Sequence, residues 1–144
     1  MTETKLLTPS ELTQLTEQGQ LAKVKAQFDH LKKEEEEKQT LRESFMGRDV
    51  HPQVKERVNA AVRRAAEQGL RQIQVLTFPA TYCNDRGRRI NNAEPDWQDS
   101  LEGFAKKAMV YFEKELKPLG FKVRAEILTF PGGMPGEVGL FLSW

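Results

Sequence analysis

The sequence predicts a small α/β protein, at the border with the α+β class, that follows a long helical arm. Within the first 47 residues, apolar residues recur at helical spacing at Leu12 and Leu15 and again from Leu21 to Leu31. From residue 48 the hydrophobic patterns predict, in order, a helix, a strand, a helix and two strands, with glycine or proline between them. We therefore expect two parts: a helical arm over residues 1–47 and a small α/β domain over residues 48–144.

Composition limits the function classes. A chain of 144 residues has room for one ordinary domain and an appendage. A formal net charge of +1 gives no overall signal for nucleic acid. The single cysteine, Cys83, excludes an internal disulfide and is typical of a reducing compartment. No apolar run approaches the ~20 residues that span a bilayer. We expect a cytoplasmic protein with no membrane segment.

The arm begins at a capping-box pattern, Thr8-Pro9-Ser10-Glu11. Gly19 is expected to end a first short helix, and a second helix is predicted from about Gln20 to Met46. Apolar residues at 3-4-3 spacing mark one side of this second helix for about two heptads: Leu21, Val24, Phe28 and Leu31.

This stripe stops at Glu34–Glu37, and it has two interpretations. The arm is either a solvated charged helix or a helix that binds a partner, namely a second copy of the chain. Isolated helices are marginal in water, so the stripe needs a surface to pack on. The expected partner arrangement is a homodimer, formed through the arm or through an edge of the small sheet.

The domain contains two helices and three strands. Their predicted ranges are Pro52–Gln68, Ile73–Phe78 with a phase slip near Leu76, Trp97–Leu116, Lys122–Phe130 and Glu137–Trp144. A sequence echo, Leu-Thr-Phe-Pro at residues 76–79 and again at residues 128–131, suggests two helix–strand units of equivalent geometry.

The order of these elements predicts a three-stranded mixed sheet. The first two strands are joined through a helix and should be parallel, and the last two should be antiparallel. Strand orders 1-2-3 and 1-3-2 are both open. The second is favoured because the last strand is apolar almost throughout, as central strands are. Both helices should cover one face, while Gln72, Gln74, Arg124 and Glu126 occupy a face that is solvated or covered by the arm.

Four segments should converge at the exit of the first strand: Arg48–His51, Thr81–Asn92, Asp96–Trp97 and Gly132–Gly136. In open α/β sheets ligands bind at the carboxyl ends of strands, and helix starts there add N–H groups and partial positive charge. We call these segments the rim.

Arginines make the rim a candidate site for a small anionic ligand, because the guanidinium fork matches phosphate or carboxylate. The alternative is a solvated turn whose arginines pair with Asp85, Glu94 or Asp99. No nucleotide-binding glycine motif is present, and no cofactor is expected. The predicted ligand-binding residues are Arg86, Arg88, Arg89, Asn84, Tyr82, Trp97, Gly132 and Gly133.

Cys83 is a candidate nucleophile, with His51 as base and Asp85 to orient the base. The alternative is an inert, half-buried cysteine and a His51 that caps its helix. One cysteine and two distant histidines give no metal-ligand cluster.

Nucleic-acid binding is the third functional hypothesis. It would use Arg63, Arg64 and Arg71 with the loop arginines, and Tyr82 or Trp97 for stacking on bases. The two groups of arginines, however, should lie at opposite ends of the sheet. The leading expectation is a non-enzymatic, homo-oligomeric binding module with an anion-binding rim. A cysteine enzyme and a nucleic-acid-binding accessory protein are the alternatives.

Overall fold

A computed structural model describes residues 4–144 of the chain. The chain divides into two compact units, the first ending at Leu41 and the second comprising Arg42–Trp144. Residues 1–3 of the predicted arm lie outside the described part. Phe45 and Met46, which the sequence placed in the arm, belong to the second unit.

Helix α1 spans Pro9–Gly47 without interruption. Its capping box forms as predicted, because the Thr8 N–H donates to Glu11 Oε2 at 3.0 Å and the Glu11 N–H donates to Thr8 Oγ1 at 3.2 Å. The expectation that Gly19 ends a first helix is wrong. An isolated glycine costs a helix interior only about 1 kcal/mol, and strong helix formers surround this one.

Helix α2 spans Val54–Glu67, two residues later than the predicted start at Pro52. It ends in the expected Schellman motif: Gly69 has φ +82°, and the Leu70 N–H donates to the Ala65 carbonyl at 2.9 Å. The second predicted helix end has the same geometry. Gly120 has φ +102°, and the Phe121 N–H donates to the Leu116 carbonyl at 3.4 Å.

The sheet contains strands β1 (Gln72–Pro79), β2 (Lys122–Ile127) and β3 (Glu137–Ser143) in the order β1-β3-β2. The favoured strand order is therefore correct. The prediction of a mixed sheet is wrong, because both pairings are antiparallel. β1 and β2 run in the same direction, but β3 lies between them, so the sheet contains no parallel pairing. The protein is an α+β fold with a small antiparallel sheet.

A bulge interrupts β1. Gln74 pairs with Phe141 and Leu76 pairs with Leu140, so Val75 is an extra residue without a partner on β3. This is the phase slip predicted near Leu76. The sequence echo does not extend to the strands, because Phe78 is buried within β1 whereas Phe130 lies beyond the end of β2 and is exposed.

The predicted helix Trp97–Leu116 is divided in the structure. A 3₁₀ turn at Trp97–Ser100 is followed by extended residues, and helix α4 begins at Gly103 and ends at Tyr111. A π-helical turn, Phe112–Leu116, and a 3₁₀ turn, Lys117–Leu119, continue it. The break arises because Leu101 and Glu102 adopt extended backbone angles and Gly103 adopts φ +57°.

The core lies between the apolar face of the sheet and the helices. Alternate residues of the central strand, Val138, Leu140 and Leu142, are at most 2% exposed. Ala105, Met109 and Phe112 pack against the same buried cluster. The opposite face of the sheet carries Gln72, Gln74, Arg124 and Glu126, which are exposed as expected.

Candidate functional site

The loop after β1 is a compact capped structure. It begins with a 3₁₀ turn, Ala80–Tyr82, and contains a one-turn helix, α3, at Arg88–Asn91 that the sequence analysis did not predict. Asp85 builds the loop, because its Oδ1 accepts from the Gly87 N–H at 3.0 Å and its Oδ2 accepts from the Arg89 N–H at 3.1 Å. Asp85 therefore acts as a helix cap.

The loop after β1 contacts its neighbouring segments, including the rim residue Asp96, which lies 3.5 Å from Arg89. The Ala80 N–H donates to the Gly136 carbonyl at 2.8 Å, which joins the loop to the glycine-rich turn. Asn84 holds the segment before α4, because its amide nitrogen donates to the Asp99 carbonyl at 2.8 Å and to Glu102 Oε1 at 3.3 Å. On the remaining side, the Arg48 guanidinium lies 4.4 Å from the centre of the Phe104 ring.

Two of the three arginines in the loop after β1 have carboxylate partners nearby. Arg88 pairs with Glu94 at 3.1 Å, and Arg89 lies 3.8 Å from Asp85 and 3.5 Å from Asp96. The guanidinium of Arg86 makes no ion pair within residues 4–144. The rim thus offers one unpaired guanidinium in this loop, which is a weaker anion site than three convergent ones.

Two predicted stacking residues take part in packing. The ring of Tyr82 lies 4.9 Å from the ring of Phe45, and Trp97 is half-buried against the core. Gly132 and Gly133 form an exposed turn with φ +62° and +79°, and a Cβ added at either would have no atom within 4 Å. Glycine at these positions suits the left-handed backbone of the turn.

Cys83 is 4% exposed. Burial raises the pKa of its thiol from 9.0 to about 11; a hydrogen bond with Ser100 opposes this shift, and the carboxylates of Asp85 and Glu102 add to it. Because the thiolate is the nucleophilic form, almost none is present at neutral pH. The geometry is that of an inert buried cysteine.

His51 binds the turn that precedes α2, and no side-chain hydrogen bond caps the helix itself. Its Nδ1 accepts from the Gln53 N–H at 3.0 Å, and among residues 4–144 no hydrogen bond joins it to Cys83. The oxygens of Asp85, the third member of the predicted set, are occupied by backbone N–H groups of the loop. The described geometry therefore assembles no cysteine–histidine–aspartate arrangement.

Helix α1 carries an unpartnered apolar surface in the first unit. None of its side chains is buried. Each of the four residues of the predicted stripe is 61–70% exposed. We call these four residues the arm stripe: Leu21, Val24, Phe28 and Leu31.

A second apolar feature was not predicted from the sequence. A cavity of about 150 Å³ lies between α2 and α4 above the sheet. Its walls come from α2 (Val54, Val58), the β1 bulge (Val75, Leu76), α4 and its π turn (Phe104, Ala108, Met109, Tyr111, Phe112, Leu116) and the other strands (Val123, Leu140, Leu142), with Val50 at one end. The phase slip near Leu76 was the one local signal for it, since the bulge turns Val75 toward this space.

Two classes of site have no counterpart in the described chain. Residues 4–144 contain no group of three or more His, Cys, Asp or Glu side chains arranged to hold a metal ion. Within the same range, no helix is both long enough and apolar enough to cross a membrane.

No protein-family model, curated protein or solved structure matches the chain.

Proposed function

We propose that the protein is a homodimeric interaction module whose subunits pair through the arm stripe. The observation that carries this proposal is the 61–70% exposure of all four stripe residues on a helix of 39 residues with no buried side chain. Most helical stability in proteins comes from packing an apolar face, so a helix of this length gains stability from a partner.

The heptad positions favour a second copy of the same chain. With Leu21 and Phe28 at position a, and Val24 and Leu31 at position d, the flanking e positions are Lys25 and Lys32. In a parallel pair, Gln20 and Gln27 at position g would face these lysines of the partner, so no like charges meet. In an antiparallel pair Lys25 would face its own counterpart. The charge pattern therefore supports a parallel, in-register pair.

The sheet edges are less suitable for pairing. The exposed edge of β1 is interrupted by the bulge at Val75, and α3 packs against β2. Bulges and covering elements are features that keep sheet edges from pairing with other chains. Of the two arrangements expected from the sequence, the arm is the better supported.

The test measures the oligomeric state of the full chain by analytical ultracentrifugation over a range of concentrations, for wild type, Phe28→Glu and Ala26→Glu. Burying a Phe side chain contributes about 1.5–3 kcal/mol, and a dimer contains two, so Phe28→Glu should weaken association by about 100-fold or more. Ala26 lies on the opposite side of the helix, so Ala26→Glu should associate like wild type.

A wild-type protein that stays monomeric at high micromolar concentration would refute the dimer. Equal weakening by both substitutions would show that the added charge, and not the stripe, controls association. A larger complex that forms only with another protein would likewise overturn self-pairing.

The other functions receive less support. An anion-binding role at the rim is left with Arg86 as its unpaired guanidinium in the loop, and the enzyme hypothesis needs a reactive Cys83 that burial disfavours. For nucleic acid, Arg63 pairs with Glu67 at 3.1 Å, and the two predicted stacking rings pack on the protein itself.

A further inference from the structure

The cavity between α2 and α4 has the properties of a binding site in its own right. Its volume of about 150 Å³ is enough to admit a single aromatic ring, and it is partly open to solvent, since its lining residue Val75 is 46% exposed. Thirteen of its fourteen lining residues are apolar, the exception being Tyr111. A ligand there would be bound by burial of apolar surface and by close contacts, with no need for hydrogen bonds.

The apolar lining of this cavity disfavours a charged ligand. The pKa of the Tyr111 hydroxyl is raised, first by burial and then by the carboxylates of Glu115 and Glu56. The Arg48 guanidinium lies 4.4 Å from the ring of Phe104, another lining residue, so the nearby charges do not select one sign. A carboxylate in the cavity would lose its hydration among apolar side chains, and this desolvation is what excludes it. Its occupant should therefore carry no negative charge.

The wall formed by α2 allows entry. Ala65 is the only buried residue of this helix, and Val54 and Val58, which line the cavity, are half-buried. Opposite them the helix widens into the π turn at Phe112–Leu116, and such turns occur frequently at functional sites. Helix α2 on one side has a single buried residue, and the π turn after α4 on the other side is wider than an α-helix. The space between them is not filled by the chain's own side chains.

We infer that this cavity binds one small uncharged apolar molecule, about as large as a single aromatic ring. Its walls all come from the second unit, so the site is independent of pairing through the arm stripe. The ligand class is a small aromatic or branched aliphatic compound without a carboxylate.

The experiment is thermal unfolding of the full chain with and without benzene, and with benzoate as the charged probe of the same ring. A ligand that binds only the folded state raises the midpoint in proportion to the logarithm of its concentration over its Kd. Wild type should gain several degrees with benzene and nothing with benzoate.

Two substitutions locate the effect. Ala108→Leu adds three carbons to a lining residue of α4, fills part of the cavity and should abolish the benzene shift. Ala61→Leu makes the same change at an exposed residue of α2 and should leave the shift intact. If Ala108→Leu does not fold, Val58→Phe adds four carbons from the opposite wall and fills part of the cavity instead.

Absence of a benzene shift in wild type would overturn the inference. So would an equal shift in wild type and in the cavity-filled variant, since benzene would then bind elsewhere. A benzoate shift as large as the benzene shift would refute the assigned ligand class.

Discussion

Substituting Gly103, the first residue of α4, by alanine should destabilise the second unit more than the same substitution at Gly132. Gly103 has φ +57°, and a Cβ added there would lie 2.7 Å from Met46 Cα and 2.9 Å from Met46 Sδ. The matched control is Gly132, which has φ +62° and no atom within 4 Å of an added Cβ. The two alanine variants share the backbone strain and differ in the space available.

The magnitudes follow from these contacts. A left-handed conformation costs a residue with a Cβ about 1–2 kcal/mol, and the lost freedom of the unfolded chain returns about 0.4–1 kcal/mol. Gly132→Ala should therefore lose about 1 kcal/mol or less. Gly103→Ala must also displace a backbone atom, and overpacking of this kind costs about 1–3 kcal/mol more. The expected loss for Gly103→Ala is about 2–4 kcal/mol.

Urea unfolding followed by tryptophan fluorescence measures this difference, because Trp97 and Trp144 both belong to the second unit. The midpoint for Gly103→Ala should fall well below that for Gly132→Ala, with the same slope. Equal midpoints would refute the close packing of the end of α1 on the start of α4.

Two further predictions concern the core. The Phe45 ring lies 5.3 Å from that of Phe78 and 4.9 Å from that of Tyr82, so Phe45→Ala should lower the free energy of unfolding by about 2–4 kcal/mol. Phe130→Ala, at an exposed position, should lower it little. Urea unfolding compares the two variants, and similar losses would contradict the packing role of Phe45. The folded state raises the pKa of Cys83 from 9.0 to about 11. The stability that this raised pKa contributes is therefore fully present below pH 9 and is lost as the pH rises through 11. Between pH 7 and pH 10 wild type should therefore lose about 1 kcal/mol more stability than Cys83→Ala, and identical pH profiles would show that the thiol is not buried as described.

Local patterns predicted the features that depend on near neighbours in the chain. The capping box at Thr8 and Glu11, the glycine stop at Gly69 and the phase slip near Leu76 were all visible because each involves residues a few positions apart. The central position of β3 was predicted from its apolar character, since strands that are covered on both faces are apolar almost throughout. In the rim, the alternative in which the loop arginines pair with Asp85, Glu94 or Asp99 includes two of the observed partners, Asp85 for Arg89 and Glu94 for Arg88.

Features that depend on packing between distant segments could not be predicted from local sequence patterns. The helical pattern from Trp97 onward hides a break, because the extended backbone at Leu101 is held by contacts such as the bond from Asn84 to Asp99, 15 positions away. The strand order 1-3-2 was favoured from the sequence, but the order 1-2-3 stayed open, since the helix crossover between β1 and β2 is compatible with either arrangement.

The sequence by itself determined the composition of this protein's surfaces: a long charged helix with a short apolar stripe, and a domain with one apolar sheet face. The tertiary structure decided where those surfaces meet. Burial of Cys83, the pairing of Arg88 and Arg89, and the cavity between α2 and α4 all depend on distances between segments remote in sequence. Periodicity reports which side of an element is apolar, but the space between two elements is set by all the side chains that pack there at once.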